Sequence, residues 1–161
     1  MSARINNRQN GFTIAELITV CAIIGILTAV ALPVARFGIR RQKELELHER
    51  LRKITDAIDR YHELRLAPAP NNIKAPPDLG QGTYPKDFDE LVKGVELTNG
   101  QKVKLLRERD LIDPMTGKKE WTILSDTDDP DTVSTNGNNV FEVHSKSHAL
   151  ALDGKTHYNE W

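Results

Sequence analysis

The sequence predicts an α+β protein in which a long N-terminal α-helix, membrane-embedded in its first half, packs on a small C-terminal antiparallel β-sheet. Three observations predict it. Residues 17–35 contain no charged side chain. An apolar stripe at helical spacing follows that run. Short alternating segments, separated by turn residues, then occupy the last third of the chain. The length of 161 residues is about that of one domain.

The apolar run is long enough to cross a bilayer, because a helix of this length spans about 30 Å. A secretory signal peptide would have a shorter apolar core, and a buried core helix would need a larger remainder to wrap it. A membrane-spanning helix is therefore the preferred interpretation. Gly25 and Pro33 weaken this helix. They predict either an ordinary kink or a point where the helix bends while packing against sister helices.

The charges around the run give an unexpected orientation. Arg4 and Arg8 precede it, whereas a larger basic group follows it, consisting of Arg36, Arg40, Arg41 and Lys43. Counting these charges by the positive-inside rule places the C-terminal part in the cytoplasm.

The helical pattern continues beyond the membrane segment as a stripe of apolar residues spaced three and four apart: Leu47, Leu51, Ile54, Ile58 and Tyr61. Ala67-Pro68 ends the helix. A coiled coil is the alternative for this stripe, but it covers only about two heptads, which favours packing on the chain's own domain.

Shorter elements are predicted after residue 86. The predicted elements are a helix at residues 87–92, a helix or extended arm at 103–109, a turn at 113–117, and strands at 120–124, 140–144 and 149–152. Tyr158 and Trp161 are expected to pack on the sheet.

Composition excludes several functions. A lone cysteine, Cys21, excludes an intramolecular disulfide and a cysteine metal site. The net charge of −1, with no basic stripe interleaved with aromatics, gives no support for nucleic-acid binding. The irregular spacing of His144, His148 and His157 does not predict a metal cluster. No nucleophile motif or phosphate loop is present, so no enzyme is expected.

One loop carries a possible cation site. Its oxygen ligands would be Asp126, Asp128, Asp129 and Asp131. Carboxylates suit calcium, although an acidic run in a loop is more often only solvated. Calcium is therefore a weak candidate, and no other cofactor is expected.

The stretch from Gly11 to Leu17, Gly-Phe-Thr-Ile-Ala-Glu-Leu, resembles the processing signature of type IV prepilins and type II secretion pseudopilins. The resemblance implies that prepilin peptidase cuts after Gly11 and methylates Phe12. It divides the chain into a leader (1–11), a membrane and filament-core half-helix (12–36), an amphipathic half-helix (37–66) and a periplasmic globular α+β region (67–161). Pro33 occupies a position where the family often has a proline.

The C-terminal part resembles, more loosely, the soluble domain of the major pseudopilin of type II secretion. The matching stretches are Tyr84-Pro85 with Leu91, residues 111–117 with Trp121, and residues 140–145. The last loops of that family often bind calcium. Residues 145–154 lack its usual glycine- and aspartate-rich insertion, which argues against calcium here.

The expected function is a pseudopilin that polymerises through its N-terminal helices into a periplasmic filament supporting protein export. Glu16 would pair with the new amine of Phe12 on a neighbouring copy. The implied partners are other copies, minor pseudopilins, prepilin peptidase, an inner-membrane assembly platform and the lipid bilayer. The implied location is the bacterial inner membrane, crossed once, with the C-terminal domain in the periplasm. The alternatives are a type IV pilin of a surface filament and a membrane-anchored periplasmic binding domain that never polymerises.

Overall fold

The structure is a computed structural model that describes residues 11–74, 82–129 and 137–161. The described chain forms two compact units, one ending at Ile39 and one comprising Arg40–Trp161. One helix, α1 (Ile14–Leu66), contributes residues to both. Its end at Leu66 agrees with the stop signal at Ala67-Pro68.

Within the described residues, the N-terminal unit is the first part of α1 and the three residues before it. The helix continues through Gly25 and Pro33. The hydroxyls of Thr19 and Thr28 each donate to the carbonyl four residues earlier, at 2.8 Å, so their polar groups are satisfied inside the helix. The helix is long and apolar enough to cross a membrane, and its most apolar stretch has no side chain buried within the protein.

The C-terminal unit adds several short elements to the second part of α1. These are α2 (Phe88–Lys93), β1 (Val95–Glu96), β2 (Lys102–Val103), a 3₁₀ helix (Glu108–Leu111), β3 (Trp121–Leu124), β4 (Glu142–Ser145) and a second 3₁₀ helix (Tyr158–Glu160). The strands form two antiparallel pairs, β1 with β2 and β3 with β4. In the second pair Trp121 lies opposite Ser145 and Leu124 opposite Glu142.

The predicted apolar stripe of α1 is confirmed as the centre of the core. Leu47 and Ile54 are fully buried, Ile58 and Tyr61 nearly so, and Leu51 is partly buried against them. Residues from the short helices and strands of this unit complete the core, among them Leu91, Trp121, Val143 and Tyr158. Burying each large aliphatic side chain stabilises the fold by about 1.5–3 kcal/mol. The stripe therefore packs on its own domain and not in a coiled coil.

The strand predictions were partly wrong. The β1–β2 hairpin was missed. Residues 149–152 do not form a strand, because only Leu150 makes a bridge, to His157. Val140 lies outside β4, since its amide donates to the carbonyl of Pro85 (2.8 Å). The segment at 103–109 is neither one helix nor one arm, because β2 ends at Val103 and a 3₁₀ helix begins at Glu108.

A buried carboxylate links the turn at 113–118 to β4. Asp113 is completely buried, and its carboxylate accepts hydrogen bonds from the Met115 amide (2.7 Å), the Thr116 hydroxyl (3.1 Å) and the Ser145 hydroxyl (2.8 Å). Three donors offset the cost of burying the acid. The predicted turn therefore also anchors the sheet.

The end of the chain is fastened to α1 by a second polar cluster. The Tyr158 hydroxyl donates to Glu44 (2.7 Å) and accepts from Arg40 (3.0 Å). Trp161 stacks on His48, with ring centroids 4.2 Å apart, and lies edge-on to Tyr158. Trp161 thus packs against the helix, and its carbonyl oxygen lies 2.7 Å from His144 Nδ1 on β4.

Candidate processing and assembly site

Gly11 and Phe12 precede the first turn of α1 and are exposed. Phe12 leaves 84% of its surface open. A Cβ placed on Gly11 would meet no atom within 4 Å, and the backbone there is not left-handed. Nothing in the described fold therefore requires glycine at this position. Gly94 is the opposite case, since its φ is +88° and an added Cβ would lie 2.8 Å from the Val103 carbonyl oxygen.

Thr13 caps the start of α1. Its hydroxyl accepts a hydrogen bond from the Glu16 amide (3.2 Å), and its carbonyl accepts one from the Leu17 amide (3.1 Å). A threonine that bonds the amide three residues on is a standard N-cap, and glutamate at that third position is the usual companion. The residues between Phe12 and Leu17 thus define where the helix begins.

Glu16 lies in the first turn, where the helix dipole favours a negative charge by about 0.3–1 kcal/mol. This local role was missed from the sequence, although the Thr13–Glu16 spacing signals it. Among the described side chains none forms an ion pair with Glu16. The dipole explains why a carboxylate is tolerated at this end of the helix, but it leaves the charge without a specific partner.

The first part of α1 is apolar around its whole circumference. Ile14, Ile18, Ile24, Val30 and Val34 each keep more than half of their surface exposed. Such an area is far larger than the apolar patches of a soluble monomer. The first part of α1 therefore needs lipid or other helices to shield its apolar side chains from water.

The calcium candidates lie around the end of β3. Asp126 accepts a hydrogen bond from the side-chain amide of Asn139 (2.8 Å), and Asp128 accepts one from the Ser125 amide (2.8 Å). Asp129 follows, and Asp131 lies outside the described residues. In the described part of the chain no three potential ligands form a metal-binding group. Calcium stays only the weak candidate that the sequence indicates.

Comparison with known proteins identifies the N-terminal signature. The prokaryotic N-terminal methylation motif matches residues 6–32. The chain is 31% identical over 115 residues to the fimbrial protein of Neisseria meningitidis serogroup B, covering 71% of this chain and 65% of that protein. It is 32% identical over 120 residues to the type IV major pilin protein PilE1 of Neisseria gonorrhoeae, covering 71% and 68%. No solved structure matches significantly.

The helix is capped, carries a methylation signature and has an apolar first part that no described residue covers, and a small α+β domain follows it. These features define a membrane-anchored structural subunit and not an enzyme. The chain belongs to the type IV pilin-like family. It spans about two thirds of the length of these two relatives.

Proposed function

We propose that the chain is cut after Gly11, methylated on Phe12 and polymerised through the first part of α1 into a filament outside the cytoplasmic membrane. The observation that carries this proposal is the methylation signature at the start of a helix whose apolar surface is not buried by any residue that the structure describes. Before assembly the bilayer would cover that surface. In the filament, sister helices would replace the lipid.

Glu16 would set the register of this packing. Cutting after Gly11 creates a charged amine on Phe12, four residues before the carboxylate. In the low dielectric of packed helices an unpaired carboxylate is costly, whereas one paired with the amine of a neighbouring copy is not. Misaligned helices would leave both charges unpaired, so the pairing favours one stagger.

The class of filament that we favour is the periplasmic pseudopilus of a type II secretion system. The C-terminal resemblance supports it, and its three stretches are packed in one unit through the buried Leu91, Trp121 and Val143. The pilin and fimbrial names of the two relatives favour the second candidate, a type IV pilus subunit. With Cys21 as its one cysteine, this chain would lack any disulfide in the C-terminal domain.

The pseudopilus class also implies the assembly partners and the location of the chain. Prepilin peptidase would process the leader, and an inner-membrane platform with minor pseudopilins would support assembly. The C-terminal domain would lie in the periplasm despite the basic residues after the apolar run. Those residues would then contact lipid headgroups on the periplasmic side.

Substitutions at Glu16 and Thr13 test the assembly mechanism. Glu16→Ala and Glu16→Gln should both be processed normally and yield few filaments, because neither provides a charge to pair with Phe12. Thr13→Ala removes the cap without removing the charge, and it should assemble. Electron microscopy and sedimentation of sheared filaments measure the result. Wild-type assembly by Glu16→Gln would show that charge pairing does not set the register.

Gly11→Val tests the cut. Because nothing in the described fold requires glycine there, the variant should fold normally but keep the gel mobility of the uncut precursor.

Deleting the gene distinguishes the two filament classes. Loss of protein export with surface filaments intact indicates a pseudopilus, and loss of surface filaments with export intact indicates a pilus.

A further inference from the structure

A groove in the C-terminal unit is lined by more basic than acidic side chains. It has a volume of about 410 Å³ and lies between α1 and the segment that joins β2 to the 3₁₀ helix. Ala57, Leu105 and Leu106 contribute its apolar lining. Its basic residues are Lys53, Arg60, Lys104, Arg107 and Arg109.

Three of these cations form no ion pair within the part of the chain that the structure describes. Lys53 lies 2.6 Å from Glu49, and Arg60 lies 2.8 Å from Glu63. Lys104, Arg107 and Arg109 are exposed and form no ion pair with any described side chain. The groove also contains Asp56 and Asp110, but Asp110 is buried and bound to Arg50. The positive charge of the groove is therefore only partly balanced within the subunit.

The opposite charge is concentrated further along the chain. Residues 102–119 contain six basic and three acidic side chains, whereas residues 121–145 contain five acidic side chains and no Lys or Arg. Asp126, Asp128 and Asp129 directly follow β3, and Glu142 begins β4 opposite Leu124. We call the surface formed by these four carboxylates the acidic end.

The groove and the acidic end connect to opposite ends of the β3–β4 pair. The chain that leaves the groove at Asp110 is held at the Trp121–Ser145 end, because the Trp121 indole donates to the Leu111 carbonyl (2.7 Å) and Ser145 donates to Asp113 (2.8 Å). The acidic end lies at the Leu124–Glu142 end. Strands of this length place the two ends about 10 Å apart. The basic groove therefore connects to one end of the β3–β4 pair, and the acidic end lies at the other.

We propose that the groove binds the acidic end of a second copy of this chain. The contact joins two different surfaces, so it propagates from copy to copy and does not close into a dimer. Complementary charges of this kind fix orientation and register, and raised salt weakens them because most of the groups are exposed. This inference rests on the proposed polymerisation and adds a contact between globular domains to the contact between helices.

Charge reversal in the full-length protein tests the contact. Lys104→Glu with Arg107→Glu should reduce filament yield at least about tenfold, and Asp129→Lys with Glu142→Lys should do the same. The matched control is Arg52→Glu with Lys102→Glu, which reverses two exposed cations outside the groove and should assemble normally. Co-expression of the groove variant with the acidic-end variant should restore filaments, because each then offers the other a complementary surface.

Cross-linking tests the pairing directly. In a Cys21→Ser background, Arg107→Cys with Asp129→Cys should give a ladder of covalent oligomers with a short bis-maleimide, whereas either cysteine alone should give dimers at most. A groove variant that assembles like the control, or one that the acidic-end variant fails to restore, overturns the inference. Filaments of the wild type in those experiments would leave the proposed function intact, and uncut, unassembled wild-type protein would overturn the function itself.

Discussion

The two parts of α1 belong to the same helix but meet opposite surroundings. In the N-terminal unit Ile24 keeps 56% of its surface exposed, whereas Ile54, eight turns later, has none. The first part satisfies its own polar groups through Thr13, Thr19 and Thr28, and finds no apolar partner in the described chain. The second part is charged on its outer faces and makes apolar contacts on one stripe.

The C-terminal unit is thus stabilised by contacts within the chain, whereas the N-terminal unit depends on its surroundings. The C-terminal unit has a closed core, a buried carboxylate with three donors and a fastened chain end. The N-terminal unit has a cap, a charge and an apolar surface. Substitutions in the C-terminal unit should therefore change folding, and substitutions in the N-terminal unit should change membrane insertion and assembly.

One substitution placed in both parts gives the largest expected contrast. Ile54→Ala opens a cavity in the core and should lower the free energy of unfolding of the C-terminal unit by about 2–5 kcal/mol. Ile24→Ala removes the same atoms from an exposed position and should change it by less than about 0.5 kcal/mol. Denaturant titration in detergent, followed by tryptophan fluorescence, measures both. Equal losses would show that the two parts are not independent.

Removing the buried carboxylate should be nearly as costly. Asp113→Ala leaves the Ser145 hydroxyl, itself completely buried, without its acceptor and frees the 113–118 turn. We expect a loss of about 3 kcal/mol in the C-terminal unit. Asp113→Asn keeps one acceptor oxygen and should lose less. Processing at Gly11 should be unchanged in both variants, as judged by gel mobility, and a processing defect would argue against separate roles for the two units.

Alkaline pH should destabilise the C-terminal unit. Burial, together with the nearby Glu90 carboxylate, raises the pKa of Tyr61 to about 12. Because this pKa exceeds the ordinary value of 10, the fold favours the neutral phenol. The resulting stabilisation is complete below about pH 10, is lost as the pH rises toward 12, and amounts to roughly 2 kcal/mol. Tyr61→Phe should reduce the loss of stability between pH 9 and 12. An unchanged pH profile would assign that loss to other groups.

The smallest effect concerns the fastened chain end. Tyr158→Phe removes the hydroxyl that joins Arg40 to Glu44, while Glu44 keeps its bond from the Leu152 amide (2.7 Å). A loss of about 1 kcal/mol is expected. Proteolysis near residue 155 should increase in the variant, and Arg52→Ala, an exposed change elsewhere on α1, serves as the control.

Local patterns predicted the parts of the fold that depend on neighbours along the chain. The spacing from Leu47 to Tyr61 identified the buried stripe, and Ala67-Pro68 identified the helix end. Asn99-Gly100 also signals the β1–β2 hairpin, but its strands are only two residues long and too short to show alternation.

Contacts between distant residues could not be predicted in this way. Asp113 looked like part of an ordinary turn, and its bond to Ser145 spans 32 residues of sequence. Tyr158 meets Glu44 across 114 residues. The strand expected at 149–152 failed for a related reason. Its apolar residues and the following Asp153-Gly154 turn were present, but the structure provides only a single bridge to His157 and no neighbouring strand. At the N-terminus the signature predicted the site, while the Thr13 cap emerged only from the geometry.

The N-terminal unit is, in our proposal, completed by processing and by other copies of the chain. Intact-mass measurement of the protein extracted from membranes tests it most directly. We expect a chain that lacks residues 1–11 and carries one added methyl group on Phe12. A chain that retains its first eleven residues, or one cut at another position, would contradict it.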